Sequence, residues 1–149
     1  MKSILLVEDS RFLRLANERA LVKAGYSVVT AGDGEEALRI AYDMIPDLIL
    51  LDMLLPTLGG VQVLQALRSN VLTALIPVIV LSSLPQANEL KLKKEGATAY
   101  FEKSQLDLGQ NSESLINIVK KTLDDFTELH GQTVPVEALS SRFVRESQT

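Results

Sequence analysis

The chain has no cysteine, and His130 is the one histidine among its 149 residues. The missing thiols exclude a disulfide framework, thiolate catalysis and a cysteine-based zinc site together. Positive charge is also in short supply. Lysine and arginine number 15 against 19 acidic residues, a net charge of −4, so bulk electrostatics gives no basis for expecting nucleic acid or an anionic membrane as partner. No segment reaches the ~20 apolar residues that span a bilayer. Met1-Lys2-Ser3 leads straight into a strand-like run, without the apolar stretch and cleavage site of a signal peptide, and a cytoplasmic location is expected. Gly32-Asp33-Gly34 lacks the Gly-Lys-Ser/Thr of a phosphate-binding P-loop and reads as a turn before a helix. There is no low-complexity segment and no internal repeat beyond the alternation described next.

What is present is ordinary globular material, 46% hydrophobic and 23% charged, enough for one domain with a sizeable core. Strand-like runs at Ile4–Val7, Tyr26–Thr30, Leu48–Leu51, Val78–Leu81 and Ala99–Phe101 alternate with helical patterns. Several runs are apolar at consecutive positions, as in parallel strands covered on both faces. Phe12, Leu13, Ala16, Ala20 and Ala24 form a helical stripe before Gly25, a C-terminal cap. Ala37, Leu38, Ala41, Met44 and Ile45 form a second, stopped by Pro46. Val63, Leu64 and Leu67 mark a third helix after Gly59-Gly60, and Ala87 to Glu95 a fourth that ends at Gly96. Leu115, Val119, Leu123 and Phe126 mark the fifth, with Gly131 just past its end. Five βα units predict an α/β fold with a doubly wound, five-stranded parallel sheet and right-handed crossovers.

In such sheets the ligand lies outside the carboxyl ends of the strands. Glu8-Asp9 ends the first run, Asp52 the third, and Lys103 follows the fifth. If the strands are parallel neighbours, three carboxylates and an ammonium converge on one edge. Clustered carboxylates repel unless a proton or cation joins them, so the edge asks for a divalent metal and an anionic substrate, with phosphate the obvious candidate.

Leu6-Val7-Glu8-Asp9, Asp52-Met53-Leu54-Leu55-Pro56 running into Gly59-Gly60, Val78-Ile79-Val80-Leu81-Ser82-Ser83 and Gly96-Ala97-Thr98-Ala99-Tyr100-Phe101-Glu102-Lys103 occur in that order. Over about residues 2 to 130 they resemble the receiver domain of two-component response regulators, in the single-domain form of the chemotaxis regulators. The resemblance implies a flavodoxin-like (βα)5 fold with strand order 2-1-3-4-5. It implies Asp52 as phosphoacceptor and Mg²⁺ held by Asp9, Asp52 and the Leu54 backbone carbonyl, with Glu8 acting through a water. Lys103 would contact a phosphoryl oxygen, or pair with Asp52 when no phosphate is bound. Ser82 takes the position of the hydroxyl drawn toward the phosphoryl group, and Tyr100 that of the aromatic switch. Two departures stand out. Ser104 follows Lys103 where the family usually has proline, and a cis bond before a non-proline residue costs roughly 2.5–4 kcal/mol. Leu54 and Leu84, flanking the acceptor, carry no group that orients a hydrolytic water.

Expected partners are a histidine kinase or phosphotransfer protein and an output protein not named by the sequence. The chain is read as a signalling phosphoacceptor rather than an enzyme. An aspartyl-phosphate phosphatase is the rival reading, but such enzymes want a second acid two residues after the nucleophile, and Leu54 stands there. A flavin-binding module is weaker still, because the acidic cluster would repel the cofactor phosphate. Lys91, Lys93 and Lys94 read as a solvated helix face, and His130 as a favourable charge at a helix C-terminus. The chain divides into a receiver unit, 1–130, and an extension, 131–149. In the extension Val136, Leu139, Phe143 and Val144 fall on one helical face after Pro135. That face is expected to anchor the extension, docking it on a second copy as a homodimer.

Overall fold

The computed structural model describes residues 1–82, 89–103 and 113–131. In chain order the elements are β1 (Ser3–Val7), α1 (Arg11–Lys23), β2 (Ser27–Ala31), α2 (Gly34–Met44) and β3 (Leu48–Asp52). They continue with α3 (Gly60–Ser69), β4 (Val78–Ser82), α4 (Glu89–Lys94), β5 (Ala99–Glu102) and α5 (Glu113–Gly131). The strands form one parallel sheet in the order β2-β1-β3-β4-β5. Leu84, the Lys103–Ser104 bond and the extension 132–149 lie outside the described residues.

Three strands outlast their apolar runs at the carboxyl end. β3 includes Asp52, β4 includes Ser82 and β5 includes Glu102. Ladder pairing is a backbone property, so it continues past the point where side chains turn polar. Asp52 is in register with Leu81, and Ser82 with Glu102. Asp52 and Ser82 are thus the last rungs of the ladder, while Glu8, Asp9 and Lys103 follow directly on the ends of β1 and β5.

Side-chain alternation divides the core into two layers. Leu5, Val7, Ile49, Leu51, Val78, Val80 and Tyr100 face α2, α3 and α4, with Ala37, Ala41, Leu64, Leu67 and Leu92 packed on them. Ile4, Leu6, Leu48, Leu50, Ile79 and Leu81 face the other way, against Leu21 of α1 and Leu115, Val119 and Leu123 of α5. β3 and β4, buried at every position, contribute to both layers, as does β1.

Helix ends follow local chemistry. Ser10 caps α1, accepting from the Leu13 N–H at 3.4 Å, and Asp33 caps α2, accepting from the Glu36 N–H at 2.9 Å. At the far end of α1 the Tyr26 N–H donates to the Leu21 carbonyl and the Gly25 N–H to the Val22 carbonyl, a Schellman closure. Gly25 has φ 102, the left-handed geometry that closure needs, and sits one residue beyond the capping Ala24. Pro46 does stop α2, and it leaves Ile45 strained at φ 45, since the residue before proline is pushed out of the helical region.

Two helix expectations need correction. The buried face of α1 centres on Asn17 and Leu21, while Phe12 is 71% exposed and Ala24 is exposed as well. The apolar pattern misled because a polar residue, Asn17, is buried where an apolar one was expected. At the other end of the chain α5 runs through Gly131 rather than stopping before it.

Arg68, at the end of α3, ties the lower edge of the sheet together. Its Nε donates to the Gly96 carbonyl at 2.9 Å, and Nη1 to the carbonyls of Ile76 at 2.7 Å, Ala74 at 3.1 Å and Thr73 at 3.4 Å. Burial lowers its pKa, the sign of a charge held away from water. Arg68→Ala leaves several carbonyls unpaired and should lower stability by about 2–3 kcal/mol, read as the urea midpoint. Arg68→Lys should recover only part of that, since one ammonium does not reproduce the guanidinium fork.

Candidate functional site

Parallel packing of β1 beside β3 brings Glu8 and Asp9 to the same edge as Asp52. One oxygen from each of Glu8, Asp9 and Asp52 lies within 4.8 Å of the others. Glu8 and Asp52 are buried, and Asp9 is exposed at the rim. Lys103, one residue past β5, reaches across to donate to Glu8 Oε1 at 2.8 Å and Asp52 Oδ2 at 3.1 Å. The expected convergence of Glu8, Asp9, Asp52 and Lys103 is therefore real. The pairing differs in emphasis, since Lys103 bridges both buried carboxyls and lies closer to Glu8 than to Asp52.

Backbone groups complete the cradle. The Leu54 N–H donates to Asp52 Oδ1 at 3.2 Å and the Ser10 N–H to Glu8 Oε2 at 3.3 Å. The turn after Asp52 is fixed where α3 begins: the Gly60 N–H donates to the Met53 carbonyl at 3.1 Å. A Cβ at Gly60 would come within 2.8 Å of the Met53 Cα, so glycine is required by close approach. Farther along the same loop Thr57, at φ 66, donates to Asp33 Oδ1 and accepts from the Glu35 N–H. A β-branched residue in that conformation is strained, and its two bonds tie the loop to the start of α2. Leu54 itself turns outward, 58% exposed.

Ser82 is fully buried at the end of β4, one rung beyond the partner of Asp52. Tyr100 points the other way from the site's rim, into the layer beneath α4 with Leu92 and Ala97. Sequence reasoning missed Arg14. Its Nη1 donates to the Glu8 carbonyl at 2.7 Å and lies 3.5 Å from that of Asp9, stapling the turn that presents both acids. A side-chain bond to a backbone carbonyl leaves no periodic trace in a sequence.

The carboxyls carry the electrostatic cost of being together. Burial, above all, and then the hydrogen bond and charge of Asp52 push the Glu8 carboxyl up to about 7, against the pull of Lys103. Burial works to lower Lys103, but Glu8 and Asp52 outweigh it and hold the ammonium above its ordinary value. A site that retains a proton at neutral pH is short of positive charge. An all-oxygen donor set of three carboxylates suits a small, hard divalent cation such as Mg²⁺.

A parallel α/β sheet with acids and a lysine at its carboxyl edge places the molecule among domains that use a strand-end charge cluster. The sequence narrows this further. Residues 4–115 match the response regulator receiver domain, and the chain belongs to that family, the receivers of two-component systems. Protein PilG of Pseudomonas aeruginosa is 30% identical over 138 residues, 92% of this chain and 93% of PilG. The alkaline phosphatase synthesis transcriptional regulatory protein PhoP of Bacillus subtilis is 39% identical over 103 residues, 68% of this chain. The chain spans 42% of PhoP and 13% of the gliding motility regulatory protein of Myxococcus xanthus, which is 45% identical over 105 residues. Among solved structures, the chemotaxis response regulator CheY4 of Vibrio cholerae superposes with a TM-score of 0.74 at 29% identity, covering 82% of this chain and 98% of CheY4. No helix among the described residues is long and apolar enough to cross a membrane.

The raised Glu8 fixes a pH dependence in the metal-free protein. A carboxyl whose folded pKa lies near 7, above an ordinary 4.5, contributes stability that is complete below about 4.5 and lost as pH rises through about 7. Between pH 5 and 8 that loss should be on the order of 2 kcal/mol. Glu8→Gln should remain flat across the same range and be the more stable protein at pH 8. Denaturant midpoints for both proteins, in chelator, measure the difference.

Proposed function

We propose that the protein is a phosphorylation-dependent signalling switch. Asp52 accepts a phosphoryl group from the histidine of a kinase or phosphotransfer protein, and the modified domain signals by contact with an output protein. The observation that carries this reading is the bridge from Lys103 to Glu8 and Asp52, with Asp9 beside it at the open edge of the sheet.

Asp52 attacks phosphorus with a carboxylate oxygen. The new O–P bond forms as the P–N bond of the phosphohistidine breaks, and the leaving imidazole keeps the electron pair and takes up a proton. Mg²⁺, when bound by Asp9, Asp52, the Leu54 carbonyl and Glu8 through a water, supplies positive charge against the transferring oxygens. Lys103 exchanges its bond to Asp52 for one to a phosphoryl oxygen, and Glu8 keeps its position through the Ser10 N–H. Ser82 donates its hydroxyl to another phosphoryl oxygen. Tyr100 follows that movement as the aromatic switch beneath α4. Phe12, at the first turn of α1, and Leu54 give the rim exposed apolar contacts for the donor protein.

The chain acts as phosphoacceptor and not as a turnover enzyme. Leu54 stands where an aspartyl-phosphate phosphatase places its acid, so that position offers no proton to a leaving group. The relatives named as transcriptional regulators are longer, and their output roles are not carried over to this chain. With a net charge of −4, direct binding to nucleic acid or to an anionic membrane is not part of the proposal. A cytoplasmic setting is.

Incubation with acetyl phosphate and Mg²⁺, followed by intact mass and site mapping, tests the assignment. One phosphoryl group should appear on Asp52, and neither Asp52→Asn nor chelator-treated protein should acquire it. Modification that survives in either sample refutes the reading. A second outcome concerns lifetime. Leu54 offers no hydrogen bond to an attacking water, so Leu54→Asn should speed phosphate release several-fold relative to the parent. An unchanged decay rate would show that Leu54 does not govern access.

A further inference from the structure

A cavity of about 420 Å³ opens between β5, α5 and the residues that lead into β4, away from the acidic edge. Leu75, Pro77, Phe101, Ile118 and Phe126 give it apolar walls. Its size falls within the range of small-molecule sites, roughly 300–1,000 Å³. Leu75 is 72% exposed although it belongs to this concave wall. Three charged side chains, Arg68, Lys121 and Asp125, also line the cavity. An apolar hollow with a few convergent polar groups is the form that small-ligand sites take.

The charges decide what kind of ligand fits. Arg68 donates from Nε and Nη1 to four backbone carbonyls, and Nη2 takes no part in those bonds. Among the described residues no carboxylate forms an ion pair with it. A guanidinium drawn partly out of water and answered only by neutral oxygens favours an anion beside it. Lys121 and Asp125 pair with each other at 2.9 Å and cancel, so Arg68 leaves the lining with one positive charge in excess. Thr98 adds a donor, because its Oγ1 accepts from the Val78 N–H at 2.9 Å and its own O–H is left to donate.

We propose that this cavity binds a small amphipathic carboxylic acid, with its hydrocarbon body against Phe101 and Phe126 and its carboxylate toward Arg68. At about 30 Å³ for each water-sized group the cavity holds at most about fourteen non-hydrogen atoms. A medium-chain acid such as octanoate, with about ten, fits that space with room for the rim to stay hydrated. The bidentate geometry of a carboxylate also suits a guanidinium better than an alcohol or an amine does. The cavity shares no residue with the acidic edge, so the inference does not rest on phosphorylation of Asp52.

Amide spectra of the isotope-enriched full-length chain, titrated at low salt with octanoate, octanol and octylamine, test the proposal. Octanoate should give saturable shifts at Leu75, Thr98, Phe101 and Thr122, with a Kd of about 1 mM or tighter. Octanol should bind several-fold more weakly and octylamine should not saturate. Lys121→Gln removes the partner of Asp125 and should weaken octanoate about two- to three-fold, while Asp125→Asn should tighten it by a similar factor. Neither exposed substitution should alter octanol binding. Thr122→Trp, which fills the cavity from α5, should abolish the octanoate shifts. Octanol that binds as well as octanoate, or octanoate affinity unmoved by both charge variants, overturns the proposal. Shifts that never saturate, or that survive in Thr122→Trp, overturn it too. So does movement of the same amides on raising the concentration of the protein alone, which would assign the cavity to a second copy.

Discussion

The Lys103 ammonium, 2.8 Å from Glu8 and 3.1 Å from Asp52, is the contact on which the strand ends depend. Two carboxyls buried side by side at the edge of an apolar sheet would otherwise force each other into the neutral form or force the edge open. The lysine arrives from a strand two places away from β3 in the sheet, so the bridge also ties the far side of the sheet to its centre. Removing it would leave uncompensated charge at the carboxyl ends of β1 and β3 together. Glu8 shows the compromise, for even with the lysine in place its carboxyl is held near 7. The edge is built with less positive charge than its acids require, a shortfall that a divalent cation would make up.

Much of this architecture was legible in the sequence. Strands buried on both faces must be apolar at successive positions, so Leu48–Leu51 and Val78–Leu81 declare themselves, and the polar residues that end them, Asp52 and Ser82, mark the carboxyl edge. The clustering of Glu8, Asp9, Asp52 and Lys103 follows once the runs are parallel neighbours, whereas the strand order came from the family resemblance. The phase of α1 did not follow. Its pattern contains apolar residues that stay in water, Phe12 and Val22, and a polar one that is buried, Asn17. Periodicity assumes that polarity and burial agree, and on this helix they do not.

The features missed altogether are side chains that bond backbone carbonyls. Arg14 fastens the turn that carries Glu8 and Asp9, and Arg68 gathers the carbonyls where α3 meets the beginnings of β4 and β5. Neither contact depends on what its partner's side chain is, so no pairing of residue types announces it. The preference of Lys103 for Glu8 over Asp52 is hidden for a related reason. Which of two adjacent acids a lysine favours is settled by tenths of an ångström in strand placement.

Tyr100 sets an energetic scale for any switch in this domain. Its ring fills the layer beneath α4, among Leu92, Ala97 and Val80, while its neighbours Ala99 and Phe101 pack on the opposite layer with α5. Taking that ring out leaves a void the size of an aromatic side chain, and voids of that kind cost about 3–5 kcal/mol when nothing collapses into them. At the lower figure the outward arrangement would be populated less than about 1% of the time at rest. A hole in a close-packed layer is costly, and that cost favours the inward ring. Any outward movement of that ring must be matched by a movement that closes the hole, and α4, which lies over it, is the element placed to do so.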